Sequence, residues 1–266
     1  VVVFMNGEYY AMLGMRERTN KDFVYSNYGL KEEDFCIQTI SKTGSTECDD
    51  YQIVKSLGNG DFNRIDENID VDEFLNYLLT EIYVFNKDWA DNNNKAWKRT
   101  ENGKWRWILY DTEYSTSLYE ENMTGNGFSN LNKVNYYNNI IQNPEMKRRL
   151  MTKFVTHAGT TFGEDNAEHV LDSMMNILSK EADYFRDFLA RKNIKESSLS
   201  WKDEAMKVRN FIVARQNVVM GHVASNMQLG NPVPLRIYAN IPGGSYTLNG
   251  LENIRKSDFR SQYFTN

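Results

Sequence analysis

The sequence predicts an α+β protein with a partial, strand-containing small lobe, a mostly helical large lobe and a β appendage at the C-terminal end. Three observations carry this reading. An Asn6-Gly7 pair separates two strand-like runs at the start, helix-period apolar patterns fill Pro144 to about Gln228, and strand-like runs return beyond Pro232 and Pro234. The divisions fall at residues 1–45, 46–230 and 231–266.

The first strand, Val1 to Met5, turns at Asn6-Gly7 into a second that runs from Tyr9 to Arg18. Its period-two alternation sets Leu13, Met15 and Glu17 on one face, so Glu17 shares an apolar face. A short helix around residues 20–30 leads to a strand at Phe35 to Ile40, then to a polar stretch where the lobes divide. Cys36 and Cys48 flank that division, and the sequence leaves open whether they form a bridge or remain thiols. Asp70 starts a helix, with Glu73 completing a capping box and Val71, Phe74, Leu75, Leu78, Leu79 and Ile82 on one buried face. A second hairpin comes next, with strands near 94–100 and 104–110 and Asn102-Gly103 at its tip.

The chain has 41% hydrophobic and 13% aromatic residues and only 4 prolines, the composition of a packed globular protein. Its net charge of -5 and scattered basic residues give no footprint for nucleic acid. No apolar run approaches the ~18 residues of a membrane span. These residues include no signal peptide, and because the sequence opens at Val1 without an initiator Met and inside an apolar strand-like run, an upstream portion is expected. Leu57-Gly58-Asn59-Gly60-Asp61 fits no phosphate-loop template, and His157, His169 and His222 lack zinc-ligand spacing. Asn122-Met123-Thr124 matches the glycosylation pattern, which is too permissive to use.

The informative stretch is Asn86-Lys87-Asp88-Trp89-Ala90-Asp91-Asn92-Asn93-Asn94-Lys95-Ala96-Trp97, running from a helix end into the second hairpin. Phosphoryl transfer needs an acid that orients the acceptor hydroxyl, and oxygen ligands that hold magnesium on the phosphates. Kinases meet this need with Asp-x4-Asn and a second Asp. Asp88 and Asn93 stand in that relation, and the returning strand ends in Asp111, folded back toward Asn93. Asn92 is an alternative ligand to Asn93. Taken singly, Asp88, Asn93 and Asp111 each have a plainer reading as turn or loop residues. Their joint spacing favours chemistry.

Trp105, Trp107 and Leu109 form the expected inward face of the strand before Asp111, so a carboxylate there needs a partner or a metal. Glu113 reads either as an acid for a second magnesium or as an exposed turn residue. Lys95 reads either as a phosphate-neutralising cation or as a lysine on the hairpin face.

These segments resemble the CotH kinases of bacterial spore coats and other surface or secreted proteins, an atypical branch of the protein-kinase-like fold. The resemblance rests on Asn6-Gly7-Glu8-Tyr9-Tyr10 leading to Met15-Arg16-Glu17, on Asn86-x-Asp88-Trp89 with Asn92-Asn93 and Trp97, and on Gly103-Lys104-Trp105-Arg106-Trp107-Ile108-Leu109-Tyr110-Asp111. With the helices up to about residue 225 it covers most of the chain. It implies an ATP- and Mg2+-dependent kinase acting on protein Ser or Thr, with Asp88 as catalytic acid/base and Asn93 and Asp111 as metal ligands. By the same resemblance Glu17 corresponds to the acid that pairs with a nucleotide-contacting lysine, a structural ion pair being the alternative. The location it implies is a bacterial surface, the secreted fraction or a spore coat. Ala90 stands where the family usually has proline, and Glu113 where it has the second Asp of Asp-x-Asp. The family's upstream segment, which supplies basic nucleotide contacts, lies before Val1.

Two other function classes stay open. One is a catalytically silent surface or coat binding module of the same fold, and the other a metal-dependent phosphoester hydrolase.

Overall fold

Asn6 and Gly7 take φ of 53° and 81° and turn strand β1 (Val2–Met5) back onto β2 (Glu8–Met12). The computed structural model describes residues 1–41, 48–116, 122–194, 200–238, 244–254 and 258–264. Within them β2 stops at Met12, short of the expected Arg18. Leu13 and Val1 make the last backbone pair, and among the described residues no strand lies opposite residues 14–18. Without a pleat the alternation has no meaning there. Met15 is exposed, and so is Glu17, which accepts from Asn27 Nδ2 at 3.0 Å instead of facing a core.

Asn20 caps helix α1 (Lys21–Tyr28), and Gly29 ends it in the left-handed region. Strand β3 (Phe35–Ile40) then pairs along its full length with β4 (Asn94–Arg99), Phe35 opposite Arg99 and Ile40 opposite Asn94. With β5 (Arg106–Ile108) these strands make a three-stranded antiparallel sheet of order β3-β4-β5. The strand read as part of the small lobe therefore shares a sheet with the second hairpin, and Val24, Phe35, Trp97 and Ile108 make a small core beneath α1. A Cys36–Cys48 disulfide fastens β3 to the chain beyond it, so the bridge left open in the sequence is formed. Strand β5 is shorter than expected. Trp105 and Trp107 are buried as predicted, but Leu109 lies past the strand end and is exposed.

Two short helices, α2 (Tyr51–Ser56) and α3 (Phe62–Asn68), occupy the stretch read as polar loop, with Tyr51, Val54 and Ile65 in the main core. Helix α4 (Val71–Val84) starts at the Asp70 N-cap and buries the predicted face. Glu73 does not close a capping box. The Asp70 N–H is taken by the Trp105 carbonyl at 2.9 Å, and the Glu73 carboxyl turns to the Trp107 N–H, at 2.9 and 3.1 Å. Burial pushes the Glu73 carboxyl up to about 8.

After a short turn of helix, α5 (Glu113–Thr116), and a 3-10 segment at Gly127–Lys133, the chain is helical in α6 (Asn135–Ile141), α7 (Pro144–Gly159), α8 (Glu164–Arg191) and α9 (Trp201–Met227). Helices α7 and α9 pack on α4. The first hairpin rests on α8, with Tyr9 donating to Glu181 Oε1 at 2.7 Å and meeting the rings of Tyr184 and Phe188. Arg215 of α9 is fully buried. Its guanidinium donates to the carbonyls of Ile82 and Tyr83 at the end of α4 and of Asn122, Met123 and Gly125. Asn122, the residue of the glycosylation pattern, is buried and donates to the Tyr114 and Ser115 carbonyls.

The C-terminal strands are β6 (Pro232–Tyr238), β7 (Tyr246–Leu248), β8 (Leu251–Ile254) and β9 (Asp258–Phe264), paired β6 with β9 and β7 with β8. This appendage docks on α7. Phe259 and Phe264 are buried, and the Ser261 hydroxyl donates to the Val155 carbonyl at 2.5 Å.

Candidate functional site

Helix α4 ends at Phe85, whose φ of 49° and N–H bonds to the Glu81 and Ile82 carbonyls form a left-handed cap. The cap delivers Asn86 to the interior, where its amide is fully buried and organises the loop that follows. Its Oδ1 accepts from the Asp88 N–H at 3.2 Å, its Nδ2 donates to the Asp111 carbonyl at 3.2 Å, and its own carbonyl accepts from Asn130 Nδ2 at 2.9 Å. One side chain thus ties the backbones of Asp88 and Asp111 to a common point.

The loop from Asn86 to Asn94 is clamped from outside and inside. Lys133 donates to the Lys87 and Trp89 carbonyls at 2.8 and 2.7 Å and pairs with Asp91 at 3.4 Å. Trp89 is buried, and its Nε1 donates to the Tyr77 hydroxyl at 2.7 Å. Asn94 is also buried. Its Oδ1 accepts from the Tyr77 and Tyr137 hydroxyls, and its Nδ2 donates to the Ala90 carbonyl.

Asp88 Oδ2 accepts from Asn92 Nδ2 at 2.8 Å and from Asn93 Nδ2 at 3.0 Å. Both rival asparagines therefore hold the same carboxylate oxygen. Asn93 sits at φ 49° and Asp111 at φ 56°, a region that Asn and Asp tolerate better than other side chains bearing a Cβ. Because Lys95 pairs with Ile108 across β4 and β5, Asn93 and Asp111 leave the hairpin at the same end.

Asp111 Oδ1 is buried without a hydrogen bond. The Arg16 guanidinium approaches it, Nη1 at 3.8 Å, while Nη2 pairs with Glu113 at 3.1 Å. Burial pushes the Tyr110 phenol up to about 12, and the charges of Asp111, Glu81 and Asp88 add to the effect. Lys95 sits over the same ring at 5.2 Å and donates to the Thr19 carbonyl and hydroxyl at 2.8 and 3.3 Å. Its ammonium holds the segment before α1. Glu81, one turn before the cap, is fully buried, and burial pushes its carboxyl up to about 8, opposed only in part by the neighbouring Asn86 amide.

Asp88, Asn92 and Asn93 meet at one carboxylate oxygen, the Asp111 backbone is tied to that of Asp88 through Asn86, Glu113 joins Asp111 through Arg16, and Lys95 lies over the neighbouring Tyr110 ring. Glu17 does not join them; its chain neighbour Arg16 does. Asn86 and Arg16 stand in the segments quoted from the sequence but had no role assigned there, and Glu81 and Lys133 were not singled out. Glu81 carries a signal, being a carboxyl one residue before Ile82 on the apolar side of α4, whereas the contacts of Lys133 and Arg16 span long sequence distances that no local pattern reveals.

Among the described residues no group of three or more His, Cys, Asp or Glu is placed to hold a metal ion. Magnesium does not need one, since one or two protein oxygens commonly suffice when phosphates and water fill the remaining positions. Asp111 Oδ1, buried and unbonded, and Asn93 Oδ1, which accepts no hydrogen bond among the described residues, are oxygens of that kind.

A family model described as CotH kinase protein matches residues 49–219, more than half of the chain and the whole of the Asp88 to Asp111 region. The chain belongs to the CotH kinase family. No curated protein sequence and no solved structure matches it. Membership in the CotH kinase family points to kinase-type phosphotransferase chemistry in general, and the mixture of helices with small sheets is compatible with an α+β fold. Arg16, Glu17 and the first hairpin precede the matched residues.

Proposed function

We propose that this protein transfers the γ-phosphoryl group of ATP to a hydroxyl group of a protein Ser or Thr, on a protein-kinase-like fold. The observation that supports this best is the Asn86 bridge, which sets the Asp88 and Asp111 backbones around one buried amide at the mouth of the second hairpin. With Oδ2 held by two asparagine amides, Asp88 keeps Oδ1 for the acceptor hydroxyl. The acceptor oxygen bonds to the γ-phosphorus, the bond from that phosphorus to the β,γ-bridging oxygen breaks, the hydroxyl proton passes to Asp88, and ADP leaves. Asp111 and Asn93 are the residues that would hold magnesium, which when bound neutralises the phosphate charge. Glu113 extends the acidic edge of the site. Lys95 acts through Thr19, fixing the segment that carries Arg16.

A bacterial surface or spore-coat location belongs to the same reading. The Cys36–Cys48 disulfide supports an oxidising compartment.

The test is incubation of the protein with γ-labelled ATP and Mg2+, with Asp111→Ala as the control. Label on protein Ser or Thr, lost in the variant, is the expected result. Nucleotide binding without transfer would leave a silent binding module, and release of labelled phosphate without labelled protein would favour a hydrolase.

A further inference from the structure

Arg16 precedes the residues matched to the family, yet its two terminal nitrogens face the acids at the end of the second hairpin, at 3.1 Å from Glu113 and 3.8 Å from Asp111. The segment bearing it is fastened on both sides. Leu13 pairs with Val1 before it, and beyond it Asn27 holds Glu17 and Lys95 holds Thr19. Arg16 is therefore tethered beside the site from both directions along the chain, on a side chain that is itself 72% exposed.

Its pairing with the acids is incomplete. An exposed ion pair is weak and readily exchanged, and Asp111 Oδ1 is left buried without a hydrogen bond although the guanidinium stands nearby. A divalent cation with oxygen preference suits that atom better than a guanidinium does. A guanidinium in turn suits phosphate, whose oxygens match its paired N–H groups. The two cations cannot both take the Asp111 oxygen, and a guanidinium displaced from it remains beside any phosphate that shares the metal.

We propose that Arg16 is a phosphate-contacting residue of the nucleotide site: it neutralises Asp111 and Glu113 before magnesium arrives, then exchanges to the phosphate oxygens. The proposal rests on the phosphotransferase reading. It makes opposite demands on two ligands. Magnesium alone must compete with Arg16, whereas the magnesium–nucleotide complex must use it.

Calorimetric titration of the wild type, Arg16→Ala and Arg16→Lys with Mg2+ alone, and with the Mg2+ complex of a non-hydrolysable ATP analogue, tests this directly. Arg16→Ala is expected to bind Mg2+ roughly two- to fivefold more tightly, the loss of an exposed competing charge. It should bind the nucleotide complex roughly tenfold or more weakly, the loss of a charge-assisted contact. Arg16→Lys, which keeps the charge but not the fork, should lie between for the nucleotide. Shifts of the same sign for both ligands, or none, would overturn the role of Arg16 alone. A wild type that binds Mg2+ but not its nucleotide complex would overturn the phosphotransferase reading, and this role with it.

Discussion

The side-chain amide of Asn86 donates to the main-chain carbonyl of Asp111 at 3.2 Å, across the end of α4 and the second hairpin. Replacing it with alanine leaves that carbonyl and the Asp88 N–H without their partner in a partly buried place. Asn86→Ala is expected to lower stability by about 1–3 kcal/mol and to reduce phosphoryl transfer more than Mg·ATP affinity. Urea unfolding and single-turnover assays measure the two effects; unchanged transfer would show that the bridge does not position the acids.

Binding and chemistry should separate between the two aspartates. Asp88→Asn is expected to keep most of the Mg·ATP-dependent rise in thermal midpoint and to lose transfer, because the group acts on the acceptor. Asp111→Asn should lose the rise itself. A variant at Asp111 that is still stabilised fully by Mg·ATP would remove it from the metal site.

Glu81 gives a pH signature. Burial raises its folded value from the ordinary 4.5 to about 8, so between those values the folded state binds more proton than the unfolded one. Its contribution is then fully present below about pH 4.5 and is lost as pH rises through about 8. Glu81→Gln, which mimics the protonated form, should gain stability relative to wild type as pH goes from 5 to 8, by up to a few kcal/mol. Glu73 is raised similarly but is common to both proteins and cancels in the comparison. Chemical denaturation of both proteins at the two pH values decides; a pH-independent difference would mean that Glu81 is not held protonated.

The Cys36–Cys48 bridge closes a loop of sequence separation 12 between β3 and the start of α2. Opening it should cost about 2–4 kcal/mol, mostly by freeing the unfolded chain. Thermal unfolding with and without reductant, and of a double Cys→Ser variant, should show matching drops. Identical midpoints would place the thiols apart in solution.

Much of the fold was legible wherever local signals agreed with packing. The Asn102-Gly103 pair marked its hairpin because Asn102 accepts the left-handed φ of 53° that the turn needs, and the Val71 to Ile82 spacing marked α4 because it reports which side faces a core. Helices α2 and α3 were not legible. They are short, polar in sequence and held by a few buried side chains such as Tyr51 and Ile65, a tertiary cause without a periodic trace. The extension of β2 to Arg18 erred for the converse reason, since alternation was present but, among the described residues, a partner strand was not. At the candidate site, Asp88, Asn93 and Asp111 could be placed near one end of the second hairpin from spacing, because one hairpin relates them. Arg16 could not, since its place depends on how the first hairpin settles on α8.

Arg215 sets the limits of any shortened version of this protein. Its guanidinium supplies donors to carbonyls at the end of α4 and in the Asn122 to Gly125 turn, and the family match runs only four residues past it. Cutting the chain before α9 would leave those carbonyls facing a void just upstream of Asn86. The smallest fragment able to keep Asp88 in register must extend through Arg215, and one that stops at Met227 would also uncover the side of α7 now covered by Phe259 and Phe264.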